Sequence, residues 1–147
     1  MRSLRNVCVV LACASLVLGQ FGCGTTGSLL SSTQFSDSAY NTDKQLKADS
    51  MALIDRAKNK ASYSSVDADV NGLMNKIDET IATEQQRTKN APTVAQWKKI
   101  KAQLTSLFNS WKTKGTLSPA FVDDARAQVS SLFDILINTE NDKRARS

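Results

Sequence analysis

Apolar residues recur every three or four positions along four stretches of the chain, the spacing that gathers them on one face of an α-helix. The stretches run from about 39 to 61, 66 to 89, 93 to 114 and 119 to 139. The first has the thinnest apolar stripe. The other three stripes are formed by Val66, Val70, Leu73, Met74, Ile77 and Ile81, by Trp97, Ile100, Leu104, Leu107, Phe108 and Trp111, and by Phe121, Val122, Ala125, Val129, Leu132, Phe133 and Leu136. The pattern predicts an all-α protein.

The predicted helices have similar lengths and short connections, which favours antiparallel neighbours. At 1.5 Å per residue, each helix spans roughly 30–36 Å. We therefore expect an up-down-up-down four-helix bundle over residues 39–141, followed by a basic tail at 142–147. The thin stripe of the first helix leaves one alternative open, a three-helix bundle on which a loose first helix packs.

Local signals mark the ends of the last two predicted helices. Thr93 and Gln96 have the spacing of a capping box, in which two side chains bond backbone N–H groups of the first turn. Gly115 can adopt the left-handed backbone conformation that ends many helices. Ser118 followed by Pro119 predicts the N-cap and the first residue of the last helix.

The beginning of the chain has the features of an export signal. Arg2 and Arg5 precede an uncharged, mostly apolar run from Val7 to Leu18, which has the length of a signal-peptide hydrophobic region. A helix that spans a bilayer needs about 20 apolar residues, so this run is too short for one. We expect residues 1–22 to be a signal peptide and the remainder to be extracytoplasmic.

The residues after the hydrophobic run carry a second signal. Gly22 precedes Cys23, and a polar stretch rich in Gly, Thr and Ser follows from Gly24. This arrangement resembles a bacterial lipoprotein signal, in which the cysteine is lipidated and becomes the new N-terminus; Gln20 stands where such signals usually have an aliphatic residue. The resemblance implies a diacylglycerol and an acyl chain such as palmitate on Cys23, with residues 23–38 as lipidated cysteine and flexible tether.

Two other fates of the N-terminus stay open. Residues 17–19, Val-Leu-Gly, also suit ordinary signal-peptidase cleavage, which would give a secreted or periplasmic soluble protein. An uncleaved anchor is the other. Cysteine usage favours lipidation, because Cys8 and Cys13 leave with the signal peptide and Cys23 would otherwise be a lone exported thiol.

The same resemblance bears on localisation in the cell envelope. Gly24 is not the Asp that is associated with retention in the inner membrane, so the resemblance implies the outer membrane, facing the periplasm. Lipid anchoring is physically sufficient for such attachment, because each buried CH₂ contributes about 0.8 kcal/mol and two or more chains make attachment durable.

The composition excludes most kinds of catalytic site. The 147 residues include no His, which removes a Ser-His-Asp triad and every His metal ligand. The Glu residues are only Glu79, Glu84 and Glu140, without the Glu-x-x-His pairs of di-iron bundles. Paired carboxylates on the predicted helices are adjacent or two apart in sequence, so they point to different faces. We expect no catalytic residue, no metal and no enzyme activity.

Charge and aromatic residues add weaker indications. From Cys23 onward the chain has 17 basic and 14 acidic residues, a net charge of +3, and this dispersed charge argues against nucleic-acid binding. Trp97 and Trp111 fall in phase with the apolar stripe and are expected in the core. The third predicted helix has a basic outer side that could contact an anionic membrane or an acidic partner, formed by Lys98, Lys99, Lys101, Lys112 and Lys114.

These observations favour a small non-enzymatic lipoprotein that presents a helical bundle for protein–protein interaction in the cell envelope. The alternative is a secreted or periplasmic bundle that binds a small apolar ligand between its helices. The two hypotheses differ in the core, because a ligand-binding bundle needs a sizeable cavity. The side chains expected to line such a cavity are Met51, Met74, Phe108 and Phe133.

Overall fold

The computed structural model describes residues 34–146, and this part of the chain is α-helical. The signal peptide, Cys23 and the predicted tether up to residue 33 lie outside the described residues. Four α-helices and one 3₁₀ turn make up the described part, and they are α1 at Asp37–Lys58, the 3₁₀ turn at Tyr63–Ser65, α2 at Asp67–Gln86, α3 at Ala91–Lys114 and α4 at Pro119–Arg144.

Each helix packs against the next along the chain, and α4 closes the bundle against α1. Ion pairs between α1 and α4 display the antiparallel arrangement. Lys47 bonds Asp134 at 2.6 Å and Lys58 bonds Asp123 at 2.7 Å, so residue numbers on α4 fall as those on α1 rise. The predicted all-α, up-down-up-down four-helix bundle is confirmed.

The first helix is a full member of the bundle, so the alternative of a three-helix bundle with a loose first helix is wrong. Leu46, Leu53 and Ile54 are all buried. The stripe is thin in sequence because polar residues occupy two further core positions, Asp43 and Ser50, and both are buried. The Ser50 hydroxyl donates to the Leu46 carbonyl oxygen at 2.7 Å, which satisfies it within the helix.

Aromatic side chains fill the centre of the bundle. Trp97 and Trp111 are fully buried, as predicted. The Trp97 ring meets the Phe133 ring edge to face, with 5.6 Å between the centroids, and Trp111 meets Tyr63 in the same way at 5.8 Å. The Trp111 indole Nε1 also donates to the Ala61 carbonyl oxygen at 3.1 Å, which ties the α1–α2 connection to the end of α3.

Two of the local end signals act as predicted. The Ser118 hydroxyl accepts a hydrogen bond from the Phe121 backbone N–H at 3.4 Å, and Pro119 is the first residue of α4. α3 ends at Lys114, and its C-cap residue Gly115 has a φ of 72°, which lies in the left-handed region that an L side chain rarely adopts.

The predicted capping box at the start of α3 is wrong. The helix begins at Ala91, after Asn90, so Thr93 and Gln96 already lie inside it. The Gln96 amide reaches across to α4 and donates to the Leu132 carbonyl oxygen at 3.0 Å.

Both outer ends of the bundle extend beyond the predicted boundaries. α1 begins at Asp37, two residues before the expected start, and Ser36 caps it by accepting from the Ala39 backbone N–H at 3.2 Å. α4 continues to Arg144, into the segment predicted as a basic tail. Within residues 34–146, none of the helices combines the length and apolarity needed to cross a bilayer.

Candidate functional site

Five ionisable side chains are gathered at the end of the bundle where α1 begins and α4 ends. We call them the ionic cluster, and its members are Asp43, Glu84, Arg87, Glu140 and Lys143. The three carboxylates are each 3% exposed or less. Removing a charge from water costs several kcal/mol, so such groups need close partners.

Glu140 is the centre of the cluster. Its Oε1 accepts from the Arg87 Nη2 at 2.7 Å and from the Ser36 backbone N–H at 2.8 Å, and its Oε2 accepts from the Lys143 Nζ at 2.6 Å. Burial raises the pKa of Glu140, but these hydrogen bonds outweigh burial and hold the pKa below its ordinary value. Glu140 is therefore an ionised carboxylate inside the protein.

Glu84 links the cluster to the connection between α2 and α3. The Arg87 Nη1 donates to the Glu84 Oε2 at 2.8 Å. The Asn90 side-chain amide donates to the same Oε2 and also to the Glu84 carbonyl oxygen. The Lys143 Nζ donates to the Asn90 Oδ1 at 3.1 Å and to the Thr93 hydroxyl at 3.3 Å. Thr93, predicted as a helix cap, is thus a partner of a buried lysine.

Asp43 lies beside this network, and its pKa is shifted in the opposite direction from that of Glu140. Burial, with the negative charges of Glu84 and Glu140, raises the pKa of Asp43 to about 8, against the opposing effect of Lys143 and Arg87. Asp43 therefore carries a proton at neutral pH. The cluster then holds two carboxylates and two cations, which balances its charge.

The ionic cluster fixes the first described residues of the chain to the bundle. The Arg87 Nη2 donates to the Gln34 carbonyl oxygen at 2.7 Å, and the Ser36 N–H bonds Glu140. Both bonds are made to backbone atoms, so they fix the position of the main chain itself and do not depend on the side chains of Gln34 and Ser36. Residues 34–36, predicted as the end of the flexible tether, are held at a defined place.

Aromatic contacts hold the same segment from the other side. The Phe35 ring lies 6.2 Å from the Tyr40 ring, centroid to centroid. The Arg144 guanidinium lies 4.2 Å from the Phe35 centroid and 5.0 Å from the Tyr40 centroid. Its Nη2 also donates to the Asp37 carboxylate at 3.2 Å, so the last turn of α4 packs on the first turn of α1.

The ionic cluster is not among the sites predicted from sequence, although the sequence carries a signal for it. Asp43 precedes Leu46 by three residues, Glu84 follows Ile81 by three, and Glu140 follows Leu136 by four. Each carboxylate thus continues an apolar stripe by one turn at a position facing the core. A polar residue at such a position reads as the end of the stripe unless a partner from another helix is recognised.

An open groove of about 480 Å³ adjoins the cluster between α1 and α2. Polar and charged side chains make up most of its lining, with Ala39 and Leu46 as the apolar residues. The hydroxyl and amide residues are Ser36, Ser38, Thr42, Gln45, Thr80 and Thr83, and the charged residues are Asp49, Lys76, Glu79, Glu84 and Arg87. A second groove of about 380 Å³ continues along the same helix pair and shares Asp49 and Lys76 with the first.

The basic residues predicted for an anionic contact do not form one surface. Lys98 and Lys99 are exposed, and Lys101 pairs with Asp78 on α2. The other two lie at the far end of α3: the Lys112 Nζ is 5.6 Å from the Tyr63 ring centroid and the Lys114 Nζ is 5.8 Å from that of Phe121.

The side chains expected around an apolar ligand lie partly in the packed core and partly at its edge. Phe108 and Phe133 are buried in the packed core, whereas Met51 and Met74 are partly buried at its edge. The grooves described above contain none of the four. Among residues 34–146, no three Cys, Asp or Glu side chains are placed to hold a metal ion.

The site therefore consists of the ionic cluster, which binds the backbone of residues 34–36, and of the polar groove beside it.

No protein-family model matches the chain, and neither a curated protein nor a solved structure is significantly similar to it.

Proposed function

We propose that this protein is a small non-enzymatic lipoprotein of the bacterial cell envelope, held at a membrane through lipidated Cys23. Its helical bundle would present the α1–α2 groove to a protein partner. The observation that carries the proposal is the fixed entry of the chain at Gln34 and Ser36, next to the groove.

The fixed entry supports a role as an anchored protein. A segment that only followed a signal peptide would need no buried partners, yet here Arg87 and Glu140 are desolvated to bind its backbone. The stretch from Cys23 to Gln34 covers eleven residues and reaches roughly 40 Å at most. A lipid on Cys23 would therefore keep the cluster end of the bundle close to the membrane.

The shape of the groove supports a protein segment as the partner. The two adjoining grooves follow α1 and α2 along the bundle, so the open surface is elongated. Its hydroxyl and amide groups can donate and accept hydrogen bonds to a polar chain, and Asp49 and Lys76 offer both charges. Such a lining fits a peptide or helix better than a small apolar molecule.

Site-specific photo-crosslinking in the native host tests the proposal. A photoreactive residue would replace Ala52 or Thr83, which line the grooves, and in the controls Gln103 or Gln128, which are exposed on α3 and α4. We expect one discrete envelope protein to be crosslinked from the groove positions in the membrane fraction. Crosslinks of equal yield from all four positions would contradict a groove-specific partner.

A further inference from the structure

Exposed charges at the cluster end of the bundle are mostly positive. This end comprises residues 34–44 at the beginning of α1, residues 81–98 around the α2–α3 connection, and residues 137–146 at the end of α4. Its exposed acids are two, Asp37 and Asp142. Its exposed bases are five, namely Lys44, Lys89, Lys98, Arg144 and Arg146.

The excess of positive charge arises because the other acids of this end are buried. Asp43, Glu84 and Glu140 are withdrawn from the surface, and Arg87 and Lys143 bond them there. The ionic cluster is thus internally balanced and leaves the exposed bases to set the outward potential.

The far end of the bundle has a smaller excess of positive charge. Its exposed acids are Asp69, Asp123 and Asp124, and its exposed bases are Lys58, Lys60, Lys112 and Lys114. Lys58 bonds Asp123 at 2.7 Å. Exposed bases therefore exceed exposed acids by one at the far end (4 − 3) and by three at the cluster end (5 − 2).

The positive end is also the end at which the chain enters from Cys23. The Phe35 and Tyr40 rings lie at this end under the Arg144 guanidinium, and aromatic rings beside basic groups are typical of membrane interfaces. An anchor on Cys23 would keep these groups within roughly 40 Å of a bilayer, counted over eleven residues. Attraction between basic residues and an anionic bilayer acts over about a Debye length, roughly 10 Å, and an anchor of this reach allows the basic end to approach the bilayer that closely.

We infer that the cluster end is a second membrane contact, which binds anionic phospholipid headgroups and orients the bundle with its far end away from the bilayer. This inference deepens the proposed function and rests on it for the position of the anchor. Lipid chains hold the protein at the membrane, and the basic end sets which part of the bundle faces the headgroups. The groove between α1 and α2 then stands beside the membrane rather than against it.

Vesicle binding of the unacylated chain tests the surface independently of the anchor. The chain from residue 23 with Cys23→Ser would be sedimented with vesicles of phosphatidylglycerol and phosphatidylcholine, or of phosphatidylcholine alone, at low salt and at 0.15 M salt. One triple variant carries Lys44→Gln, Lys89→Asn and Lys98→Gln.

The control triple variant removes the same charge from the far end. It carries Lys60→Asn, Lys112→Gln and Lys114→Gln. The two sets match closely, because Lys60 and Lys89 both have positive φ, 61° and 55°. Lys44 and Lys112 also both lie over a tyrosine ring, at 5.3 Å and 5.6 Å.

We expect binding to the anionic vesicles only, weaker at higher salt. Each basic residue near such a surface contributes about fivefold to the partition coefficient, so the cluster-end triple variant should lose about 100-fold and the far-end variant less than about threefold. Equal losses in the two variants, or no preference for anionic vesicles at low salt, would overturn the inference. The mass of Cys23 in the native host decides the anchor separately, so the two failures are distinguishable.

Discussion

Asp43 shows how one buried acid can set the pH dependence of a whole protein. Its pKa is raised to about 8 by burial and by Glu84 and Glu140, whereas an unfolded Asp titrates near 3.9. Between these two values the folded state holds a proton that the unfolded state has released. The free energy of unfolding therefore falls as the pH rises from about 4 to 8.

Asp43→Asn is expected to remove this fall. Asn keeps the volume and a neutral polar group, so the variant should match the wild type below about pH 4, where Asp43 is protonated in both the folded and the unfolded state, and should gain on it as the pH rises. Above pH 8 it should be more stable by several kcal/mol, on the order of 3–5. Urea unfolding at pH 5 and pH 8.5 measures the difference. Parallel pH profiles for the two proteins would contradict the protonated state of Asp43.

Glu140 acts in the opposite direction. Its pKa is lowered in the folded state, so the stability it contributes is present above its unfolded pKa and is lost as the pH falls through the folded pKa. Glu140→Gln should destabilise the bundle by about 3–5 kcal/mol at neutral pH, because buried Lys143 and partly buried Arg87 lose their shared counter-charge. The control Glu79→Gln, at an exposed position of α2, should change stability by no more than about 0.5 kcal/mol. A similar loss of unfolding free energy in both variants would mean that the ionic cluster stabilises the fold no more than an exposed residue does.

At the scale of the element, Gly72 is a local weakness of α2. It is exposed inside the helix, and a Cβ built there has no heavy atom within 4 Å. Gly72→Ala should therefore stabilise the protein by about 0.5–1 kcal/mol, because Ala loses less backbone entropy on folding. Gly115→Ala is the informative comparison, since φ at Gly115 is 72° and the same substitution there should destabilise by about 1 kcal/mol. Thermal unfolding of the two variants measures both changes in stability. Changes of the same sign in the two variants would contradict the prediction.

The elements themselves were largely predictable from sequence, because large apolar residues mark them directly. Ile77, Leu104 and Phe133 fall on clean stripes and are buried as expected. Ser118 was predictable as a cap because its partner is three residues away. A signal whose partner is nearby in sequence can be recognised without knowing how the helices pack.

The ionic cluster could not be predicted in this way. Glu140 joins Arg87 across 53 positions and Ser36 across 104, and neither distance is visible in a periodic pattern. The same contacts explain the mistaken end of α4 and the mistaken cap at Thr93, whose hydroxyl accepts from Lys143. A buried ion pair becomes evident only when the helices are assembled.

At the scale of the whole molecule, the excess of positive charge, the start of the groove and the entry of the chain all lie at the same end of the bundle. The chain enters at the positive end, the ionic cluster fixes it there, and the groove begins at Ser36 and runs along α1 and α2. In the proposed anchored protein, the anchor would decide which end meets the membrane and which face stays open.

The intact mass of the protein from its native host, beside that of a Cys23→Ser variant, tests this account most directly. The account predicts a chain that begins at Cys23 and carries the added mass of a diacylglycerol and an acyl chain, and a variant that lacks this mass and leaves the membrane fraction. An unmodified chain that begins at Gln20 would contradict it and would leave a soluble bundle whose partner must be sought in solution.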